Sequence, residues 1–377
     1  MNQIIDNILD GLAASGNLRQ FPAEDTAAHC VDLSSNDYLG IASNTRLQEE
    51  FLCSVDFGRM QLTSSASRLL SHSQQSYRLL EVTLSEAYGC GKQALLFNSG
   101  YHANVGIVSA FAGTKAYILA DKLVHASIID GIKLSGLPFA RFRHNDYTHL
   151  DRLAAKAFGE GYKLIIIAES IYSMDGDSSD IDALVDIKKR YPGSLLYIDE
   201  AHGVGVEGPA GLGLCKASAC FEDVDIVIGT LGKALASSGA FAISSPAMRN
   251  FMINKSRSLI FSTAIAPINV LWSRFTFTHA LGMDTERQHL KMLGKTLANE
   301  LRTVGGSSKA SHIQPLIVGE PRRAVELSGK LREEGFDVLP IRTPTVPPGT
   351  DRLRFSLSSA LNLDDISRLG NALRQTI

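Results

Sequence analysis

The chain has little of what would tie it to a disulfide scaffold, a membrane or a polyanion. Its 5 cysteines, Cys30, Cys53, Cys90, Cys215 and Cys220, are odd in number and form no C-x-x-C pair. That usage suits a reducing compartment rather than a disulfide framework. No run approaches the about 18 apolar residues that a membrane crossing takes. The opening residues also lack the basic start and unbroken apolar stretch of a signal peptide. A cytoplasmic location without a membrane partner is therefore expected. The formal net charge is -2, too little for a general attraction to nucleic acid. The 10 histidines show no metal-ligand spacing, so no metal is expected. The serines form no G-x-S-x-G elbow. Asp199-Glu-Ala-His202 spells the acidic box of some helicases, but no G-x-x-x-x-G-K-[ST] loop accompanies it. Gly203-Val-Gly205-Val-Glu-Gly208 matches G-x-G-x-x-G, yet Pro209 follows where a dinucleotide site needs a helix opening on the pyrophosphate.

What is present is an alternation of strands and helices. With 377 residues, 45% apolar and 20% charged, the composition is that of a soluble enzyme-sized chain with room for two or three domains. Ile4, Ile5, Ile8, Leu9 and Leu12 share one helical face, which predicts an amphipathic helix at the start. Residues 31–40 read as a short strand breaking into a polar turn, and 76–88 as a helix stopped by Gly89. Leu62-Thr-Ser-Ser-Ala-Ser-Arg68 reads as a loop around an anionic ligand or as a solvated connector. Apolar runs at 93–97, 117–121, 164–169, 195–199 and 225–229 then alternate with helix-length segments. They predict an α/β fold whose central sheet is mostly parallel and covered by helices on both faces. A helical stretch is expected over 269 to about 303, then strands near 313–318, 336–341 and 353–357 with two helices. The domains expected are an N-terminal helix and arm over 1–50, a large α/β domain over 51–268 and a smaller α+β domain over 269–377.

In such sheets the ligand lies outside the carboxyl ends of the strands. Glu169, Ser173, Asp199, His202, Thr230 and Lys233 all fall there. Lys233 follows Gly229-Thr-Leu-Gly232 with no acidic neighbour, and an amine in apolar surroundings loses its proton more readily and can bond covalently to a carbonyl. The small residues around Gly100 open a helix, where free backbone N–H groups suit a phosphate. Pyridoxal 5'-phosphate needs such a lysine, a carboxylate for its ring nitrogen and donors for its phosphate. Asp199, at a strand end, is placed to be the carboxylate. The plainer alternatives are a helix-start lysine in a tight turn, and an α/β domain with no ligand, which treats the six residues as coincidence.

The residues resemble the α-oxoamine synthases, fold-type-I enzymes of the aminotransferase-like fold that depend on pyridoxal phosphate. The resemblance runs from Asn36-Asp-Tyr-Leu-Gly40 to the end. It includes Asn98-Ser-Gly-Tyr-His-Ala-Asn104, Asp121-Lys-Leu-Val-His125, Ser173-Met-Asp-Gly-Asp177, Ile198-Asp-Glu-Ala-His202 and Thr230-Leu-Gly-Lys233. It implies an acyltransferase that condenses an amino acid with an acyl thioester and releases carbon dioxide. Ile341-Arg-Thr-Pro-Thr345 and Arg352-Leu-Arg354 are most like members that join L-alanine to a pimeloyl thioester, on coenzyme A or a carrier protein, in biotin synthesis. Siblings use glycine with acetyl-CoA or succinyl-CoA, and a silent cofactor-binding scaffold is the non-enzyme alternative.

The resemblance also implies roles. Lys233 would hold the cofactor and move the substrate Cα proton, Asp199 would pair with the ring nitrogen, and His125 would stack on the ring. Ser173 and His202 would contact the ring hydroxyl side, with Glu169 beside them, while Gly100, Tyr101 and Thr230 would line the phosphate and ring pocket. Ser262 and Thr263 would reach the phosphate of a second subunit, so a homodimer with shared sites is implied. Arg342 would hold the amino-acid carboxylate, with Asn36, Arg19 and Thr345 on the substrate side. Two segments depart from the family pattern: Ser64-Ser-Ala-Ser-Arg68 stands for a glycine-rich loop, and Ser358-Ser-Ala-Leu361 lacks the usual histidine.

Overall fold

A computed structural model describes residues 1–19, 21, 30–58, 60–72 and 74–377. In chain order the strands are β1 (Val31–Asp32), β2 (Gln93–Phe97), β3 (Ala116–Asp121), β4 (Phe139–Phe142), β5 (Lys163–Glu169), β6 (Leu195–Asp199), β7 (Ile226–Thr230), β8 (Ala240–Ser244), β9 (Ile313–Ile317), β10 (Phe336–Asp337), β11 (Leu339–Ile341) and β12 (Arg352–Ser356). The described residues divide into two compact units. The larger comprises Leu39–Tyr172 and Ser178–Asp284, and the smaller Met1–Tyr38, Ser173–Asp177 and Thr285–Ile377.

The larger unit is built on a seven-stranded sheet of order β2-β8-β7-β6-β5-β3-β4. Pairing is parallel from β4 through β7, and β8 alone runs against both of its neighbours. The central strands are buried on both faces because their apolar residues do not alternate with polar ones. On one face Ile118, Ile165, Ile167, Ile226 and Ile228 pack with Ile107 and Ile128 of the helices Gly100–Ala110 and Ala126–Ser135. Strand geometry turns the intervening Leu119, Ile166, Ile198 and Val227 to the other face, where they too are buried. Each such side chain contributes roughly 1.5–3 kcal/mol.

The connecting helices start where the sequence offers a cap. Ser99, His125, Asp146 and Asp180 each accept a first-turn backbone N–H with a side-chain atom. The helix Ile181–Arg190 also carries Lys188, Lys189 and Arg190 in its last turn, where cations suit the helix dipole. The strand order reverses between β3 and β5, since β4 lies outward of β3 while β6 and β7 lie on the far side of β5. A crevice at the carboxyl ends is the geometric consequence.

In the smaller unit β11, β12 and β9 form an antiparallel sheet, and β1 pairs in parallel with β10. The opening helix forms as expected, over Asn2–Ala14, but none of its residues is buried. The stretch from 269 to 303 is two helices, Pro267–Ala280 and Asp284–Thr303, separated by a Leu281-Gly282-Met283 turn. Gly282 lowers the propensity for helix there. Leu62 to Arg68 is no free connector: both terminal nitrogens of the Arg68 guanidinium bind the Glu81 carboxylate. Glu81 also takes Arg249 Nη2 at 2.9 Å and the amide of Leu96 at 3.0 Å, tying the helix Gln75–Tyr88 to β2. Among the described residues no helix is long and apolar enough to cross a membrane.

The helices Gly100–Ala110 and Ala126–Ser135 touch through Gly131, where a Cβ would lie 2.9 Å from the Asn104 carbonyl oxygen and 2.9 Å from Val108 Cβ. Gly131→Ala should therefore lower stability by about 1–3 kcal/mol. Gly159→Ala, with nothing within 4 Å of the new Cβ, should leave stability unchanged or raise it slightly. Urea unfolding midpoints of the two variants check this, and equal midpoints would contradict the close packing.

Candidate active site

Parallel strands that end together bring residues from distant segments to one rim. Glu169 and Asp199 are register partners at the ends of β5 and β6, and Asp199 pairs with Ile228, two residues before Thr230 on β7. The rim surrounds a cavity of about 170 Å³ lined by Gly100, Tyr101, Asn104, His125, Glu169, Asp199, Ala201, His202, Thr230 and Lys233. Eight of the residues singled out in the sequence thus meet in one place. Asn104 and Ala201 were not singled out. Asn104 follows Gly100 by one helical turn, and that spacing is the signal that could have found it.

Lys233 Nζ lies 2.7 Å from His202 Nε2. The Asp199 carboxylate is buried, accepting the Ala201 amide at 2.9 Å on Oδ1 and Asn104 Nδ2 at 2.7 Å on Oδ2. Glu169 is buried as well and accepts the His125 amide at 2.5 Å. Burial, and then the neighbouring Asp199 charge, push the Glu169 carboxyl well above its ordinary range, with Lys233 opposing. Burial holds the His125 imidazole below its ordinary value, against the pull of Asp199. A neutral imidazole beside a buried carboxylate follows.

The donor set fits pyridoxal phosphate. Of the first-turn amides of the helix Gly100–Ala110, His102 N–H is taken by Ser99 Oγ and Ala103 N–H by the Ser99 carbonyl. Gly100 and Tyr101 N–H groups are left for an anion, because a helix cannot satisfy its own first amides. Asp199 has two N–H donors and no cation within ion-pair distance among the described residues, and a protonated ring nitrogen would supply the missing charge. Lys233 offers the amine. Among the described residues no group of His, Cys, Asp or Glu could hold a metal ion.

The glycines of Gly203-Val-Gly205-Val-Glu-Gly208 serve another purpose. Glu200 is fully buried and accepts the amide of Cys215 and the hydroxyl of Ser170, both at 2.5 Å. A Cβ at Gly203 or Gly213 would overlap its carboxylate. Gly203 and Gly213 let the loop close over a buried acid, while Gly205 makes room for Ala234 and Gly208 for the Gly213 carbonyl.

The other expected site residues lie elsewhere. Ser262 lines a separate small cavity with Arg68, Tyr77 and Asn98, and the Thr263 carbonyl accepts Asn98 Nδ2 at 2.5 Å. In the smaller unit, Arg354 donates to the Ser173 carbonyl at 2.6 Å and to Asn36 Oδ1 at 3.1 Å. Arg19, Arg342 and Thr345 line a cavity of about 290 Å³. There Arg19 Nη2 donates to Thr345 Oγ1 at 3.0 Å and Arg342 Nη1 to the Gly16 carbonyl at 2.5 Å.

A family model for class I and II aminotransferases matches residues 28–373. The chain is similar to the 8-amino-7-oxononanoate synthase of Chlorobaculum parvum, 46% identical over 349 residues, 91% of this chain and 88% of that protein. It is also similar to a high-resolution structure of SPT with PLP, at TM-score 0.85 and 25% identity over 99% of this chain and 96% of that one. The solved 8-amino-7-oxononanoate synthase from Francisella tularensis matches at TM-score 0.78 and 26% identity, over 92% of this chain and 97% of its own.

The raised Glu169 acid has a measurable signature. Folded protein binds its proton more tightly than the unfolded chain does. Its stabilising contribution is therefore present below about pH 4.3 and lost as pH rises toward the folded value. Glu169→Gln keeps an oxygen for the His125 amide and has no proton to lose. Relative to wild type, the cofactor-free variant should gain stability as pH rises above about pH 4.3, read from urea midpoints at a series of pH values. A difference that does not change with pH would show that Glu169 titrates normally.

Proposed function

The chain belongs to the class I and II aminotransferase family, as a pyridoxal phosphate-dependent acyltransferase of its α-oxoamine synthase branch, and from that membership we propose that it condenses L-alanine with a pimeloyl thioester. The products would be 8-amino-7-oxononanoate, carbon dioxide and the free thiol. The observation that carries this reading is the cavity in which Lys233, Asp199, His125 and His202 converge, together with the 46% identity to the Chlorobaculum parvum enzyme.

Bound pyridoxal phosphate supplies an electron sink for negative charge at the amino-acid Cα. The chain's residues do the rest. Lys233 Nζ would anchor the cofactor and would take the proton from the amino-acid Cα. His202, at 2.7 Å, holds that amine on station between its two tasks. Asp199, buried, would keep the ring nitrogen protonated. The Gly100 and Tyr101 amides and the Thr230 hydroxyl would hold the phosphate, and Glu169 fixes the main chain of His125 by accepting its amide. Arg342 binds the amino-acid carboxylate in the paired geometry a guanidinium favours, which orients the Cα–carboxyl bond for cleavage. Arg19 and Thr345 share its cavity, as a site for the acyl substrate requires, and Asn36 and Ser173 contribute through Arg354.

A second copy of the chain completes the site in this reading. Support comes from Ser262 and Thr263 lying outside the cavity of their own chain. It comes also from Ile4, Ile5, Ile8, Leu9 and Leu12, whose shared apolar face stays exposed.

Addition of L-alanine to the cofactor-loaded protein should shift its visible absorbance more than glycine does, and pimeloyl-CoA should then release carbon dioxide. A response to glycine alone would reassign the amino substrate. Lys233→Ala should lower turnover by at least about a thousandfold, and substantial remaining activity would refute its role. Mixing Lys233→Ala chains with Ser262→Ala/Thr263→Ala chains should restore about a quarter of wild-type activity, because half the dimers then carry one intact site of two. No restoration after verified subunit exchange would contradict sharing of the site.

A further inference from the structure

One polar side chain on the cavity wall has no role in the reaction as described. Asn104 is buried to within 2% of full burial in the first turns of the helix Gly100–Ala110. Its amide is fully engaged. Nδ2 lies 2.7 Å from Asp199 Oδ2 and 2.9 Å from Ser127 Oγ, and Oδ1 lies 2.5 Å from the Tyr197 hydroxyl. Ser127 Oγ in turn lies 2.7 Å from His125 Nδ1, which also receives the Ser127 amide at 3.2 Å. A continuous hydrogen-bonded chain therefore joins the buried Tyr197, Asn104, Asp199 and Ser127 to His125, which is itself exposed.

The direction of every bond in that chain is fixed by its ends. An ionised carboxylate only accepts, so Asn104 must turn its NH2 group to Asp199 and its oxygen to Tyr197. The second Nδ2 hydrogen points to Ser127 Oγ, whose own proton must then go elsewhere. The acceptor within reach is His125 Nδ1, and the backbone N–H of Ser127 already requires a lone pair there. Nδ1 carries no proton, and the neutral ring holds its hydrogen on Nε2. Among the described residues Nε2 makes no hydrogen bond.

We propose that Asn104 and Ser127 are positioning residues which orient the Asp199 carboxylate and commit His125 to the Nε2–H tautomer, so that the ring presents a single donor to whatever occupies the cavity. The consequence for the cofactor rests on the proposed function, but the tautomer does not. Strand ends alone would leave an aspartate rotamer and an imidazole free to choose. The amide couples the two choices, because an Asn104 flip would break its bonds to Asp199, Ser127 and Tyr197 together.

The test uses full-length protein labelled with 15N-histidine, read without cofactor at a pH above the ordinary histidine range, with His125 signals assigned by their loss in His125→Gln. In wild type, His125 should show an unprotonated Nδ1 and a protonated Nε2. Ser127→Ala should move its shifts toward the averaged pattern of free imidazole. Asn104→Leu combined with Tyr197→Phe removes both polar partners at once, so no buried hydroxyl is orphaned. That variant should lower cofactor affinity about tenfold, the size of one hydrogen bond to a charged group. A protonated Nδ1 in wild type, or His125 shifts unmoved in Ser127→Ala, would overturn the tautomer assignment. Unchanged affinity in the double variant would overturn the role of Asn104. If wild type bound no pyridoxal phosphate, the proposed function would fail while the tautomer result stood.

Discussion

A carboxylate taken out of water must be surrounded by donors, and this chain buries two of them side by side at the ends of adjacent strands. The parallel register makes Glu169 and Asp199 neighbours, and two like charges so placed cannot both be comfortable. The structure separates their roles through their partners. Asp199 is gripped by side-chain and backbone N–H groups, while Glu169 receives one amide and is pushed toward its protonated form. Much of the local architecture follows from that division: the helix that delivers Asn104, the cap that places His125, and the turn that supplies the Ala201 amide.

A third acid, Glu200, does its work facing the other way. It bonds the Cys215 amide and the Ser170 hydroxyl, and the glycine-rich loop closes around it. The residues that imitate a dinucleotide fingerprint in the sequence are thus small because the protein's own atoms approach them, the Glu200 carboxylate at Gly203, the Ala234 side chain at Gly205 and the Gly213 backbone at Gly208. Spacing of glycines reports close approach of something. It does not report whether that something is a ligand or the protein's own side chain.

The sequence was most legible where chemistry and secondary structure coincide. Lys233, Asp199 and His202 sit where apolar runs end, so the rule that ligands lie beyond strand ends placed them without coordinates. Asn104 was not legible in that way, since a polar residue four positions into a helix is ordinary until its neighbours are known. Two strands also escaped. β4 is short, at the sheet edge and half exposed, and β8 is an antiparallel strand rich in small residues with no helix-length spacer after β7. The break in the helical stretch at Gly282 was a single residue of signal within a long periodic pattern. Arg19, Thr345 and Arg342 had meaning only through resemblance, because their cavity is made by loop residues whose spacing carries no periodicity.

The pairing of β1 with β10 matters most while the protein is being made. Val31 bonds beside Phe336, so 336 − 31 = 305 residues must be translated before the strand finds its partner. At roughly 5–20 residues per second that wait is about 15–60 s. During it the emerging chain carries an unpaired strand and an amphipathic helix, and only once Ser244 has been made does the seven-stranded sheet have all of its own strands. The strand at Val31–Asp32 therefore waits for a partner made much later in synthesis, and until then the nascent polypeptide depends on how well that segment is shielded.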